Sequence, residues 1–240
     1  MILPQTEKLI LELSKQPNTI LGIATGRNYR NLNVIKKISP FFKYFVLSNG
    51  AVTFKNNQMI DENPIPKKKI IELIDKIISY KIVIASIGKD KEALFHNGNV
   101  ENLPFIEKWN KIINSPIDNQ FHLKEKIYMI NVFGIDATKV KKLLIDLNYF
   151  NGYYWEKHID LTLKNINKFF SIKKIKEKYP EHKLICVGDG CNDKEMLQEA
   201  DISIVMGNSR YDFLKKNSHF VTPHIEENQI FNFFQENNLV

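Results

Sequence analysis

The sequence predicts an α/β protein in which a parallel-sheet core domain is interrupted by an α+β domain. Three observations carry this. Short apolar runs end in polar turns near 25–27, 48–50, 188–190 and 206–208, with helical patterns between most of them, the alternation that builds a parallel sheet with right-handed crossovers. Between 52 and 162 the texture changes to hairpins and alternating strands. The 240 residues are 43% hydrophobic and 25% charged, an ordinary globular balance with ample material for a core.

In order, Leu9, Ile10 and Leu13 stand at helical spacing over 6–16, with Thr6 as the expected N-cap. TILGIATGR (19–27) reads as a short buried strand running into a Gly turn. Residues 28–38 put Leu32, Ile35 and Ile38 on one helical face, ending before Ser39-Pro40, and YFVLSNG (44–50) is a second buried strand. AVTF (51–54), the turn KNNQ and MID (59–61) form a hairpin. Pro64 and Pro66 precede an amphipathic helix over 67–80. Then come a strand at 81–88, a short helix around Trp109 (105–113), a strand at 126–134, a helix at 138–147 and one alternating strand, GYYWEKHIDLTL (152–163). The first rhythm returns with a helix at 171–179, the strand KLICVGDG (183–190), a helix at 192–200 and the strand ISIVMGN (202–208). A helix at 209–217, HFVT (219–222) and a helix near 225–237 close the chain. The expected domains are a discontinuous core, 1–51 with 163–240, and an insert, 52–162.

The balance of 34 Lys+Arg against 27 Asp+Glu leaves +7. Such a surplus can signal nucleic acid, but here acids alternate with the lysines, as in KKIKEK (173–178), and no aromatic or Gly-rich binding module accompanies them. An anionic small molecule such as a phosphate ester explains the sign equally well. No apolar run is long enough for a membrane span, and MILPQTEKLI lacks the basic start and apolar stretch of a signal peptide. Cys186 and Cys191 cannot build a disulfide framework. A cytoplasmic protein that binds neither membrane nor nucleic acid is expected. His96, His122, His158, His182, His219 and His224 show no zinc-ligand spacing. Cys191 reads as incidental, and Trp109, Tyr153, Tyr154 and Trp155 as packing of the insert rather than a substrate platform.

Ligands of open parallel sheets sit at the carboxyl ends of the strands, where three polar turns converge: Thr25-Gly26-Arg27, Ser48-Asn49-Gly50 and Gly188-Asp189-Gly190. In GDGCND (188–193) Asp189 leaves a strand and Asp193 opens a helix, so two carboxylates lie close together, flanked by glycines that permit a tight turn. Paired carboxylates suit Mg²⁺, which takes few protein ligands plus water and phosphate oxygens; a plain turn with an Asx cap at Asn192 or Asp193 is the other reading. Thr25 with Gly26 offers a hydroxyl and backbone N–H groups to an oxyanion, or is an ordinary N-cap. Arg27 is a substrate contact or a surface charge. Lys168, just before Phe169 and Phe170 and after a strand, is a surface residue or a cation reaching the crevice.

The order TGR, SNGA, a large insert, Lys168, GDGCND and VMGNS (205–209) resembles the haloacid dehalogenase superfamily, and within it the Cof-type sugar-phosphate phosphatases, from about residue 3 to 240. The resemblance implies a Rossmann-like core, a cap domain that chooses the leaving group, and Mg²⁺-dependent hydrolysis of small phosphorylated metabolites through an aspartyl-phosphate. It implies that Thr25 hydrogen-bonds the phosphoryl group beside Gly26 and Arg27, that Lys168 neutralises it, that Asp189 binds Mg²⁺ with Asp193 in support, and that Asn49 and Asn192 contact phosphate or substrate. Asn165 and Phe169 stand where the family has glycines around the lysine, so a different local turn is expected. The family's nucleophile lies in a DxDGT segment on the first strand, and ILPQT (2–6) matches the stretch just after that segment. The nucleophile is therefore expected upstream of Met1, on a strand seated between those at 19–25 and 183–188. The alternative is a catalytically inactive phosphometabolite-binding or regulatory protein of the same fold.

Overall fold

The computed structural model describes residues 2–78, 80, 83–96, 115–134, 142–143, 145–155 and 158–240. The helix expected around Trp109, and half of that expected at 138–147, lie outside these residues.

The first sheet has the order β1-β2-β3-β4. Its strands are β1 (Gly22–Ala24), β2 (Tyr44–Leu47), β3 (Val52–Lys55) and β4 (Gln58–Glu62). β1 and β2 are parallel, and β2 to β4 run antiparallel. The β3–β4 turn, Asn56-Asn57, has φ of 49° and 64°, the left-handed pair that a tight hairpin twist requires and Asn tolerates. This hairpin hydrogen-bonds onto the strands of the first segment rather than onto the insert's own sheet. A second sheet, wholly parallel, holds β10 (Ile185–Gly188), β11 (Ile202–Val205) and β12 (Phe220–Val221) in that order.

The third sheet, order β6-β5-β7-β9-β8, is antiparallel throughout. It comprises β5 (Val83–Ile87), β6 (Glu92–His96), β7 (Met129–Phe133), β8 (Phe150–Tyr154) and β9 (His158–Leu163). Side chains alternate across it. Ile84, Ile130, Val132, Ile159 and Leu161 take one face, packed against helix α2 (Lys67–Ile77) through Ile70, Leu73, Ile74 and Ile77. Burying each of those α2 side chains contributes about 1.5–3 kcal/mol. Val83, Ala85, Ile87, Met129 and Phe133 form the opposite face. A Rossmann-like core of one mixed and one parallel sheet, with an antiparallel cap, is thus the architecture.

Helix α1 (Pro4–Lys15) packs Leu9 with Phe231 and Phe234 of the last helix, α7 (Ile230–Glu236), against Ile204. It starts at Pro4, not at Thr6, because proline pre-sets the first helical φ and has no N–H to leave unpaired. Helix α4 (Lys168–Lys176) covers both core sheets: Phe170 joins the cluster around Phe45, while Phe169 and Ile172 join Cys186 and Ala24. Shorter helices stand in the connections: α3 (Phe121–Lys124), α5 (Lys194–Gln198) and α6 (Asp212–Lys216).

Three elements differ from expectation. Residues 28–38 form a 3-10 helix at Tyr29–Ile35, because Asn28 Oδ1 accepts from Asn31 N–H at 3.2 Å and Asn31, Asn33 and Val34 are weak α-formers. Residues 152–163 are two strands, not one; the bond from Trp155 N–H to His158 C=O at 2.9 Å closes the turn between β8 and β9. Strand β6 carries no periodic signal of its own and exists by pairing along β5.

The facing edges of the two core sheets are unsatisfied. Thr25 N–H donates to Val46 C=O, and Leu21 C=O accepts from Tyr44 N–H, so the odd-numbered residues of β1 face β2. The backbone groups of Gly22 and Ala24 point away from β2. Leu184 and Gly188 carbonyls accept from β11, which turns the backbone groups of Ile185 and Val187 outward likewise. Among the described residues these four have no backbone partner, the condition of an edge strand.

Candidate functional site

The ends of β1 and β2 interlock. Asn49 N–H donates to Thr25 C=O and Ser48 N–H to Arg27 C=O, both at 3.0 Å, while Thr25 Oγ1 accepts from Arg27 N–H at 3.2 Å. Ser48, Asn49 and Gly50 have φ of 48°, 54° and 99°. Three successive left-handed residues are a strained turn that its surroundings must impose. Gly50 is required here, since a Cβ would collide with the Asn167 carbonyl, and Ser171 Oγ donates to Gly50 C=O at 2.7 Å. Arg27 is exposed.

The 188–193 turn is organised by Asp193. Its Oδ2 accepts from the N–H groups of Asp189 (3.0 Å) and Gly190 (2.8 Å), and its Oδ1 pairs with Lys168 Nζ at 2.6 Å, with side chains 5% and 7% exposed. A Cβ at Gly188 would stand 2.7 Å from Asp193 Cβ, so the turn closes only on glycine. Lys168 is the first residue of α4, delivered by Asn167, whose side chain caps Phe170 N–H at 2.8 Å. Asn165 holds φ of 70°, so it keeps the left-handed turn that a glycine would otherwise supply, while Phe169 packs into the Cys186 cluster. Asn192 Nδ2 donates to Asn49 Oδ1 at 2.8 Å and ties this turn to that of β2. Thr25, Gly26, Asn49, Lys168, Asp189, Asn192 and Asp193 thus come from four segments linked directly by these bonds. Burial, with Asp193 behind it, pushes the Cys186 thiol up to about 12, and burial raises Cys191 too; neither is an activated thiolate.

Among the described residues no three His, Cys, Asp or Glu side chains cluster as a metal cage. The donors present fit a hard cation of another kind. Asp189 is exposed at the strand end, and Asn208 Nδ2 lies 3.4 Å from its Oδ2. Asn208 Oδ1 is buried without a hydrogen-bond partner, and Ser209 Oγ fixes Asp189 C=O at 2.8 Å. A carboxylate and an unpaired amide oxygen are hard oxygen donors of the kind Mg²⁺ takes, with water and phosphate oxygens completing such a set. Both Asp193 oxygens are already engaged.

The cap contributes two buried carboxylates that the motifs did not reveal. Glu92, 2% exposed, accepts from Ser115 Oγ (3.0 Å), Asn28 Nδ2 (3.4 Å) and Asn31 Nδ2 (3.3 Å), and burial raises its pKa despite those bonds. Asp160, 6% exposed, accepts from Asn131, Trp155 and Asn49. A signal existed: His158, Asp160 and Thr162 make a polar stripe on one face of an otherwise apolar strand. Trp155 Cη2 would stand 3.1 Å from a Cβ on Gly190, which places this ring against the site rather than only in the cap's packing.

The profile of haloacid dehalogenase-like hydrolases matches residues 1–234. A Buchnera aphidicola protein named provisionally as a phosphatase is 28% identical over 233 residues, spanning 88% of this chain and 81% of its own. The 5-amino-6-(5-phospho-D-ribitylamino)uracil phosphatase YitU of Bacillus subtilis is 24% identical over 230 residues, 89% of this chain and 83% of its own. Among solved structures, the haloacid dehalogenase subclass IIB sugar phosphatase BT4131 superposes with a TM-score of 0.82 over 99% of this chain and 92% of its own, at 19% identity. Fold, turn chemistry and sequence profile agree, and the chain belongs to the haloacid dehalogenase-like hydrolase family.

Proposed function

We propose that this protein hydrolyses small phosphorylated metabolites, sugar phosphates foremost, with Mg²⁺, in the manner of Cof-type phosphatases. The observation that supports it best is the linkage of three strand-end turns to one another: Thr25 and Gly26, Asn49, and Asp189 to Asp193, with Lys168 as the buried cation. Phosphoryl transfer asks mainly for positioning and charge neutralisation. In this reading Thr25 Oγ1 and the backbone N–H groups after it bind phosphoryl oxygens. Lys168 neutralises them, and Asp193 holds both Lys168 and the 188–190 backbone in register. Asp189 holds Mg²⁺, supported through Asp193; the cation would offset phosphate charge. Asn49 and Asn192 serve by locking the turns together, and Arg27, at the exposed rim, meets the leaving group. The core comprises 1–51 and 163–240 with the 52–62 hairpin extending its sheet, and the rest of 52–162 is the cap that selects the substrate.

The nucleophile completes the reading. A carboxylate oxygen would attack phosphorus as the bond to the leaving oxygen breaks and that oxygen takes a proton; water would then release phosphate and regenerate the carboxylate. We place this aspartate on an extended strand pairing with the outward backbone groups of Gly22, Ala24, Ile185 and Val187. The second reading is a phosphometabolite-binding or regulatory protein of the same fold without turnover. A reducing cytoplasm suits Cys186 and Cys191, which are both free, and among the described residues no helix is long and apolar enough to cross a membrane. Phosphate release from a panel of monoesters, compared with Asp189→Ala and Lys168→Ala, tests the proposal. Activity abolished in both variants is the expected result, and normal turnover in both would remove these roles. Ester binding without release would select the second reading.

A further inference from the structure

Resting on that reading of the site, we propose that Asp160 is a positioning residue that fixes the spacing of the two phosphate-facing turns from the cap side. It belongs to β9 in the third sheet, outside every turn that carries the chemistry. Its Oδ1 accepts from Asn131 Nδ2 and faces His158 Nε2 at 3.2 Å; its Oδ2 accepts from Trp155 Nε1 at 3.0 Å and Asn49 Nδ2 at 3.4 Å. An ionised carboxylate has about four acceptor directions; three donors and the His158 ring nitrogen surround this one. No direction is left for a substrate hydroxyl, so Asp160 acts through what it holds.

It holds two arms. The first is Asn49, wholly buried, whose amide accepts from Asn192 and whose Oδ1 lies 3.2 Å from the place of a Cβ on Gly26. The second is Trp155, whose ring edge stands 3.1 Å from the place of a Cβ on Gly190. One arm therefore ends on the Thr25-Gly26 turn and the other on the Asp189-Gly190 turn. The carboxylate sets both reaches at once, because a shift toward either arm lengthens the other. Seating of the cap and assembly of the phosphate site become a single event: a displaced cap deprives Asn49 and Trp155 of their common acceptor, and a buried donor left unpaired is costly.

Calorimetric titration of the full chain with inorganic phosphate, in Mg²⁺ buffer, tests this with Asp160→Asn, Asn49→Ala and the double variant. Asp160→Asn keeps the side chain's shape while removing the charge and one accepting oxygen. Phosphate affinity is expected to fall about tenfold or more. In the Asn49→Ala background the same substitution is expected to have a smaller effect, that carried through Trp155 alone, because the path through Asn49 is already cut. The amide resonances of Gly26 and Gly190 should move in Asp160→Asn. Unchanged affinity and resonances, with only a lower melting temperature, would overturn the proposal and leave a packing role. An undiminished effect in the Asn49→Ala background would overturn it too. If Asp160→Asn fails to fold, Asp160→Glu, which keeps the charge but displaces both oxygens by a methylene, is expected to weaken binding in the same direction, and parental affinity would overturn the proposal. Failure of the unsubstituted chain to bind phosphate would overturn the phosphatase reading, and this inference with it.

Discussion

Replacing Lys168 by methionine isolates the charge at the centre of the site. The stem stays about as long and as apolar, so packing against α4's neighbours is largely kept, while Asp193 Oδ1 loses its partner at 2.6 Å. Both side chains are under a tenth exposed, and removing one partner of a buried pair costs about 3–5 kcal/mol. Asp193 Oδ2 keeps two backbone donors, from Asp189 and Gly190. Those donors still solvate part of the charge, which puts the expected loss at the lower end, about 3 kcal/mol. In a chain of this size each kcal/mol moves the melting temperature by about 2–4 °C, so a drop of about 6–12 °C is expected. Lys174→Met is the internal reference: its bridge to Asp61, at 2.8 Å, has side chains 44% and 30% exposed, and solvent screening keeps such pairs below about 1 kcal/mol. Calorimetric melts of the parent and both variants at neutral pH decide it. A Lys168→Met chain that melts within about 2 °C of the parent, or no lower than Lys174→Met, would refute the inference that this buried pair organises the turn.

Gly50→Ala should destabilise by more than about 2 kcal/mol, because φ of 99° and the Asn167 carbonyl both exclude a Cβ; urea melts measure it, and a loss under about 0.5 kcal/mol would contradict the close approach. Glu92 has its pKa raised by burial above the ordinary 4.5, so the folded state holds its proton more tightly than the unfolded one, and stability is greatest below the ordinary value and declines as pH rises through the raised one. Glu92→Gln should flatten that part of the stability–pH curve in melts across the acid range; an unaltered slope would show that Glu92 does not set it. Arg27→Ala should leave stability within about 0.5 kcal/mol while changing KM unequally among phosphate esters; equal KM values throughout would make Arg27 a mere surface charge.

The three turns were readable in the sequence because each is a local event, a buried run ending in Gly, Asn or Asp. GDGCND shows this best: Asp193 reaches back only three and four residues, so spacing alone brings it to the turn. Local chemistry also explains the Asn56-Asn57 hairpin, whose φ values need nothing distant. Asp160 and Glu92 were not readable as site residues, since their partners lie 111 and 64 residues away in Asn49 and Asn28 and meet only after cap and core pack. Periodicity also misled where two elements shared one pattern. In 152–163 apolar and polar residues alternate straight through a turn that only the Trp155–His158 bond reveals. At 28–38 the apolar spacing suits either helix type, and the Asn28 cap tips it toward 3-10.

The phosphoryl site itself is tested most directly by the ³¹P resonance of inorganic phosphate titrated with the full chain, with and without Mg²⁺. Saturable binding is expected, strengthened by Mg²⁺, weakened in Asp189→Ala and lost in Lys168→Met. A resonance that does not respond to the protein, or responds equally in all three chains, would contradict the assignment of these residues to a phosphate site.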